Sequence, residues 1–105
     1  MKIWVDDLRP APNGYIWLNS VNEVIETIHL VEYICQGFNQ LPTIEVIDLD
    51  HDAGDYASEG GDYIKILDWM EATGRSYPIR IHTANVVGRQ NMMLIAEKNK
   101  WEVLK

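Results

Sequence analysis

The stretch Ile44–Leu49 (IEVIDL), which runs directly into Asp50, His51 and Asp52, decides the fold of this chain. A short apolar run of this length is typical of a buried parallel strand. The polar residues begin where the apolar run stops, which predicts that they stand at the carboxyl end of the strand. Ligand sites in open parallel sheets lie at that end. The stretch therefore predicts both the type of sheet and the edge at which its site lies.

Segments before and after this stretch extend the pattern to an α/β domain. Short apolar runs predict strands, and apolar residues at 3.6-residue spacing predict helices. In chain order the predicted elements are strands at Lys2–Asp7 and Tyr15–Asn19, a helix after Ser20, the Ile44–Leu49 strand, a helix around Tyr63–Met70, a strand at Pro78–Thr83, a helix at Val86–Lys98 and a strand at Trp101–Leu104. This order predicts a three-layer domain whose five-stranded, mostly parallel sheet is covered by helices on both faces.

One connection leaves the direction of the second strand open. Leu8–Gly14 (LRPAPNG) contains two prolines and an Asn-Gly pair, which predict a loop without a helix. A parallel crossover usually takes about a dozen residues or more. Fully extended, this loop reaches about 23 Å, and the return along a strand of this length takes about 17 Å. A taut parallel crossover and an antiparallel edge strand are both compatible with the sequence.

Composition bounds the class of ligand. The chain has 105 residues, nine Lys and Arg against sixteen Asp and Glu, and a formal net charge of -7. The length predicts one domain, residues 1–105. The acidic balance argues against binding along a nucleic-acid backbone, which needs a basic face, but it allows a small phosphate-containing ligand bound through a metal ion or local donors. No apolar run suits a membrane helix or a signal peptide, so we expect no membrane contact and a cytoplasmic location.

Three carboxylates are predicted to converge. Asp6 and Asp7 end the first strand, and Asp50 follows the third. Because the carboxyl ends of parallel strands meet at one edge, these side chains should repel one another unless a cation lies between them. Hard oxygen ligands make Mg²⁺ the first prediction, with Mn²⁺ or Zn²⁺ as alternatives. The structural alternative is that the acidic pair caps a turn or pairs with Arg9.

His51 and His82 are predicted to reach the same edge of the sheet. Imidazole titrates near neutral pH, so two histidines there could act as an acid and base pair, or as ligands for Zn²⁺ or Mn²⁺. A structural role is the alternative for each. His82 would then be a core residue bonded to a backbone carbonyl, and His51 would bond a neighbouring carboxylate.

Four further residues are candidates for holding a phosphate. Thr83 and Asn85 follow the fourth strand, where a helix begins whose free N–H groups can bind an anion. Arg89 on that helix, and Arg9 after the acidic pair, could add charge-assisted contacts. Each arginine could instead be a solvated ion-pair partner.

Three motifs carry a resemblance to a known family. The acidic pair, Asp50 and the Thr83-Ala84 pair resemble the response-regulator receiver fold. More narrowly, D-D-L-R-x-x-P from Asp6, L-D-H-D-x-G from Leu49 and H-T-A-N-x-x-G-R-x-N-M from His82 resemble the cyclic-phosphate processing receiver-like domains, over nearly the whole chain. Those domains are associated with bacterial conflict and nucleotide-signal systems.

The resemblance implies a flavodoxin-like sheet with strand order 2-1-3-4-5 and a set of site residues around a divalent ion. The implied set consists of Asp6, Asp7 and Asp50 at the ion, His51, Asp52, His82 and Asn85 beside it, and Arg89 near the phosphate.

These features predict a metal-dependent phosphoesterase that processes a cyclic phosphate, such as a cyclic nucleotide or a 2′,3′-cyclic end. The ion would neutralise phosphate charge and lower the pKa of a bound water, and His51 or His82 would move protons. The alternative is a non-catalytic receiver-like module that binds a nucleotide signal or a protein partner. A third possibility is a stand-alone receiver phosphorylated on Asp50. Against it, His51 directly follows Asp50, and Lys105 is the only candidate for the receiver's lysine.

Overall fold

The computed structural model describes residues 1–105. The chain forms four strands, three α helices and one short 3-10 helix. In chain order these are β1 (Lys2–Val5), β2 (Tyr15–Leu18), α1 (Val21–Gly37), β3 (Val46–Leu49), the 3-10 helix Gly54–Ser58, α2 (Ile64–Thr73), β4 (Ile79–Ile81) and α3 (Val86–Asn99). The sheet order is β2-β1-β3-β4, and every pair of neighbouring strands is parallel. The predicted receiver-like α/β fold with a parallel sheet and three helices is confirmed.

The short loop after β1 makes a parallel crossover, so the second strand is not antiparallel. β1 and β2 pair with Lys2 opposite Tyr15 and Val5 opposite Leu18. The loop is tied to the sheet by the Trp4 indole Nε1, which donates to the main-chain oxygen of Arg9 at 2.9 Å.

The predicted fifth strand at Trp101–Leu104 is wrong. This segment makes only one isolated parallel bridge, between Ile79 and Val103. Two hydrogen bonds flank the bridge, from Ile79 N to Glu102 O and from Leu104 N to Ile79 O. The Arg89 guanidinium donates to Ile81 O, the next acceptor on this face of the bridge, at 2.8 Å.

All three helices pack on one face of the sheet. α1 joins β2 to β3 and α2 joins β3 to β4, and both crossovers move in the same direction across the sheet. Right-handed crossovers that move in one direction place their helices on one face. Accordingly, α1 packs against α2 and α2 against α3. The core unites buried side chains of these helices with the sheet residues Ile3, Val5, Ile47, Leu49, Ile79 and Ile81.

The opposite face carries no helix, so the predicted third layer is missing. Its residues include Trp4, Val46, Asp48 and Arg80, and none of them belongs to the core cluster. The only crossover that runs in the opposite direction is the β1–β2 loop, and its two prolines and short length leave no room for a helix.

Side-chain caps start two helices close to the site. Ser20 Oγ accepts the Glu23 N–H at 3.1 Å at the start of α1, and Asn85 Oδ1 accepts the Gly88 N–H at 2.9 Å at the start of α3. Both caps follow directly on the carboxyl ends of strands, so each helix begins at the edge that bears the acidic residues. None of the helices combines the length and the apolar character needed to span a membrane.

Candidate functional site

Asp6, Asp7 and Asp50 converge at the carboxyl edge of the sheet. Asp6 and Asp7 follow β1, and Asp50 follows the neighbouring strand β3. One carboxylate oxygen from each lies within 4.8 Å of the others. Asp6 and Asp50 are buried and Asp7 is half-buried. The predicted convergence of these three side chains is therefore observed.

Asp6 is fully engaged in hydrogen bonds. Its Oδ1 accepts the N–H groups of Leu8 at 3.0 Å and Arg9 at 2.9 Å, and its Oδ2 meets Arg9 Nε at 3.0 Å and His82 Nε2 at 2.9 Å. Burial by itself raises the pKa of Asp6, but the backbone hydrogen bonds, His82 and the charge of Arg9 outweigh burial, and the pKa is lowered. Asp6 is thus ionised, and each of its lone pairs has a donor.

Asp7 has no such partners. Burial, followed by the negative charges of Asp6 and Asp50, raises the pKa of the Asp7 carboxyl above its ordinary value. Gly54, which has a φ of 56°, provides the space for this carboxylate, because a Cβ at position 54 would overlap Asp7 Oδ2. Asp7 is the member of the cluster whose charge the protein leaves uncompensated.

Arg9 bridges the two other carboxylates. Its Nε lies 3.0 Å from Asp6 Oδ2, and its Nη2 lies 3.2 Å from Asp50 Oδ2 and donates to His82 O at 3.1 Å. Burial alone would lower the pKa of Arg9, but Asp6 and Asp50 outweigh burial and the pKa is raised. One guanidinium thus contacts two of the three carboxylates of the cluster, and the third, Asp7, has no cationic partner.

The donor set of this cluster fits a hard divalent cation. No other residue donates a hydrogen bond to either Asp7 oxygen, and Asp50 has lone pairs left beyond its contacts with Arg9 and with the His51 N–H at 2.7 Å. Carboxylate oxygens are the ligands that Mg²⁺ prefers in proteins. Direct coordination by Asp7 and Asp50 needs no rearrangement of hydrogen bonds, whereas Asp6 would first have to release a donor.

His82 is clamped between two carboxylates. Its Nδ1 lies 2.6 Å from Asp48 Oδ1, and its Nε2 lies 2.9 Å from Asp6 Oδ2. An ionised carboxylate only accepts hydrogen bonds, so each of the two contacts uses one ring nitrogen as the donor when its partner is ionised. The Trp4 indole stacks on the ring, with centroids 3.8 Å apart and 5° between the planes. His82 has no nitrogen left for a substrate, and it bonds carboxylates instead of the backbone carbonyl of the structural alternative.

Asp48 is a site residue that the sequence predictions missed. It is buried in the middle of β3 and holds His82, and Arg80 Nη1 lies 3.5 Å from its Oδ2. The signal was available, since Asp48 is an acid inside an apolar strand with the same orientation as Asp50 two residues on. These contacts join six ionisable side chains in a row, in the order Arg80–Asp48–His82–Asp6–Arg9–Asp50.

His51, Asp52 and Asn85 form a second group at the same edge. His51 Nδ1 lies 2.9 Å from Asp52 Oδ1, and Asn85 Nδ2 donates to the two Asp52 oxygens at 3.3 and 3.4 Å. A proton on His51 Nδ1 satisfies the contact with the Asp52 carboxylate, Asn85 Nδ2 lies 3.5 Å from the same nitrogen, and no residue bonds Nε2. The ring packs against Gly88 of α3, where an added Cβ would lie 2.5 Å from His51 Cγ.

Asp62 completes this second group and was also missed by the sequence predictions. An oxygen of Asp62 lies within 4.8 Å of ligand atoms of His51 and Asp52. Its Oδ1 accepts the Ala53 N–H at 2.9 Å, which fixes the loop after β3. Its position within a glycine-containing loop gave no periodic signal.

Thr83 and Arg89 make contacts within the protein. Thr83 Oγ1 accepts the Asn85 N–H at 3.1 Å and shapes the turn before α3. Arg89 donates to Ile81 O at 2.8 Å beside the C-terminal segment, and no ion pair joins it to the acidic cluster. Phosphate contacts by Thr83, Asn85 and Arg89 stay predictions.

A parallel sheet with an acidic pair after its first strand and an aspartate after the neighbouring strand defines a receiver-like α/β domain. A family model described as the cyclic-phosphate processing Receiver domain matches residues 1–98. The chain therefore belongs to the cyclic-phosphate processing receiver domain family, as its motifs suggested. A search of curated proteins and a search of solved structures each found no match.

Proposed function

We propose that this protein is a metal-dependent phosphoesterase that opens a cyclic phosphate, either a cyclic nucleotide or a 2′,3′-cyclic end. The observation that carries the proposal is the Asp6–Asp7–Asp50 cluster, in which Asp7 is an uncompensated carboxylate and Asp50 keeps free lone pairs. Membership of a family named for cyclic-phosphate processing supports the substrate class.

The aspartates would hold the cation at the edge of the sheet, with Mg²⁺ as the preferred ion and Mn²⁺ or Zn²⁺ as alternatives. When bound, a divalent ion supplies charge neutralisation for the phosphate and a water of lowered pKa. Asp7 and Asp50 offer the free oxygens, and Asp6 holds the guanidinium of Arg9 beside them. The Arg9 side chain is 54% exposed, so it is available to contact phosphate oxygens.

His51 is the proposed general base and acid. With Nδ1 protonated toward Asp52, Nε2 is free to accept a proton from the attacking water. As the water oxygen bonds to phosphorus, the bond from phosphorus to one ring oxygen breaks, and His51 returns the proton to that leaving oxygen. Asp52 orients the ring and stabilises the imidazolium between the two steps. The product is a phosphate monoester. His82 positions Asp6 and transfers no proton in this scheme.

Turnover of a defined panel tests the proposal. The purified chain should convert at least one of the 3′,5′-cyclic nucleotides, 2′,3′-cyclic nucleotides or oligonucleotides with 2′,3′-cyclic ends to a monoester in Mg²⁺, Mn²⁺ or Zn²⁺, as followed by phosphorus NMR. EDTA should stop the reaction. Inactivity on the whole panel with all three metals would refute the phosphoesterase.

The His51→Gln variant should lower kcat about 100-fold, because general acid–base catalysis typically contributes at least that factor. Its KM should change little, since the aspartates and Arg9 stay in place. His29→Gln is the matched control, because His29 is exposed on α1. Equal kcat values for His51→Gln and wild type would exclude His51 from proton transfer.

Gly88→Ala should also lower kcat, by about 100-fold if the new methyl group displaces the His51 ring by about 1 Å. An added Cβ would lie 2.5 Å from His51 Cγ and 2.6 Å from Cδ2, so the ring must move. Gly37→Ala on α1 is the control, because nothing lies within 4 Å of a Cβ there. Normal kcat in Gly88→Ala would show that the observed position of His51 is not needed for turnover.

The alternative function is a non-catalytic module that binds a nucleotide signal or a protein partner, and Arg9 is the observation that favours it. Arg9 already occupies one oxygen each of Asp6 and Asp50 and partly balances the cluster without a metal. Such a module would bind ligands of the same panel in calorimetry without converting them. Its affinity would be the same in wild type, His51→Ala and His82→Ala.

A further inference from the structure

Trp17 is an exposed aromatic residue beside the acidic cluster. It lies in β2 opposite Trp4 of β1, on the face of the sheet that carries no helix. The residue is 41% exposed. Exposed amphipathic side chains usually keep their polar tip in water. Here the indole Nε1 instead donates to the main-chain oxygen of Asp6 at 2.8 Å, so the surface left to solvent is apolar ring.

The end of β2 is fixed to Asp6 by several hydrogen bonds. Besides Trp17, Asn19 Nδ2 donates to Asp6 O at 3.2 Å, and the Asp6 N–H donates to Leu18 O at 3.3 Å. These contacts hold the ring in one place relative to the carboxylates. A ring that is fixed in advance loses little conformational freedom when a ligand packs on it.

The surroundings of this ring restrict what it can bind. Asp6, Asp7 and Asp50 disfavour an anionic group unless a cation is present, whereas the indole face suits a flat, uncharged heteroaromatic ring. All of the nucleobases stack on Trp side chains, with little dependence on which base is present. In a nucleoside cyclic phosphate, the base is attached to the same ribose that bears the phosphate, so a phosphate at the acidic cluster brings the base close to its edge.

We propose that Trp17 is the nucleobase platform of this site, so that its substrates are nucleoside cyclic phosphates and not base-free cyclic phosphates. The inference rests on the proposed function for the position of the phosphate. Trp17 is a specificity-determining residue in this scheme and takes no part in proton transfer or metal binding.

Binding and turnover are measured separately to test the inference. Calorimetry in Mg²⁺ uses adenosine and uridine 2′,3′-cyclic phosphates and, as the base-free probe, glycerol 1,2-cyclic phosphate. Wild type should bind both nucleosides more tightly than the glycerol compound, and Trp17→Leu should weaken nucleoside binding about tenfold. Trp17→Phe keeps a ring without the N–H and should retain most of the affinity. Binding of the glycerol compound should be equal in all variants.

Ile16→Ala is the matched control, because Ile16 is 43% exposed on the same strand but alternates to the opposite face. Its nucleoside affinity should equal that of wild type. Equal nucleoside affinity in wild type and Trp17→Leu overturns the inference, as does failure of wild type to prefer either nucleoside. Binding that depends on the base and on Trp17, without turnover of any compound, would support the role of Trp17 and refute the phosphoesterase. Turnover at the same rate with and without a base, and with and without Trp17, would support the phosphoesterase and refute the role of Trp17.

Discussion

Asp7→Asn is expected to abolish Mg²⁺-dependent turnover while raising the melting temperature of the metal-free protein. The loss of rate should exceed the roughly 10²- to 10⁴-fold attributed to general acid–base catalysis, because His51 has no activated water to act on without the cation. Magnesium binding in calorimetry should be lost as well. Asp7→Asn is the most informative variant for two reasons. Both Asp7 oxygens are available to a cation, and no other side chain loses a hydrogen-bond partner when the charge is removed.

Asp7→Asn should stabilise the metal-free protein even though it abolishes turnover. Burial and the charges of Asp6 and Asp50 raise the pKa of Asp7 in the folded state, so ionising Asp7 costs stability at neutral pH. In EDTA we therefore expect the melting temperature of Asp7→Asn to lie above that of wild type.

The pH dependence follows from the direction of this shift. A raised folded-state pKa means that the folded protein holds the Asp7 proton more tightly than the unfolded chain does. The advantage of Asp7→Asn should therefore vanish below the ordinary carboxyl value of 3.8 and grow as pH rises through the raised folded pKa. Asp68→Asn is the control of equal charge change, because Asp68 lies exposed on α2. A destabilised Asp7→Asn protein would contradict the assignment of Asp7 as an uncompensated carboxylate.

His82→Ala is expected to lower the free energy of unfolding by about 3–5 kcal/mol, the usual effect of removing one partner of a buried ion pair. The variant leaves Asp48 with only its 3.5 Å contact to Arg80 and removes one of the donors of Asp6. It also removes the ring on which Trp4 stacks. Urea unfolding followed by circular dichroism measures the loss. Small domains are stable by only about 5–15 kcal/mol, so the effect is a large part of the total.

A double variant separates the charge effect from the lost packing. Adding Asp48→Asn to His82→Ala removes the buried Asp48 charge that has lost its closest partner, without refilling the space. The double variant should therefore be more stable than His82→Ala alone. His29→Ala serves as the control, because His29 is exposed and has no carboxylate partner within hydrogen-bond distance. If His82→Ala unfolds at the same urea concentration as wild type, the clamp seen between Asp48 and Asp6 does not stabilise the fold.

The carboxylates at this edge of the sheet are of two kinds. Asp6 and Asp48 are held by donors and stabilise the sheet edge, whereas Asp7 is left without a partner. An unpaired acid beside two others costs stability at that position, and the proposed cation site would use the free oxygens of that acid.

Local patterns in the sequence determined the strands β1, β3 and β4, the helices, and the edge of the sheet at which Asp6, Asp7 and Asp50 meet. Apolar periodicity is a property of neighbouring residues, so it can be read without knowing the fold. The convergence of the three aspartates follows in turn from a general rule for parallel sheets, because their carboxyl ends share one edge.

Only the tertiary structure decided the direction of β2, the placement of all helices on one face and the partners of individual side chains. The pairing of His82 with Asp48, the contact of Arg9 with Asp50 and the contact of His51 with Gly88 join residues far apart in the chain. These contacts depend on strand order, register and the handedness of the crossovers, which are set by packing of the whole domain and leave no periodic mark on any one segment.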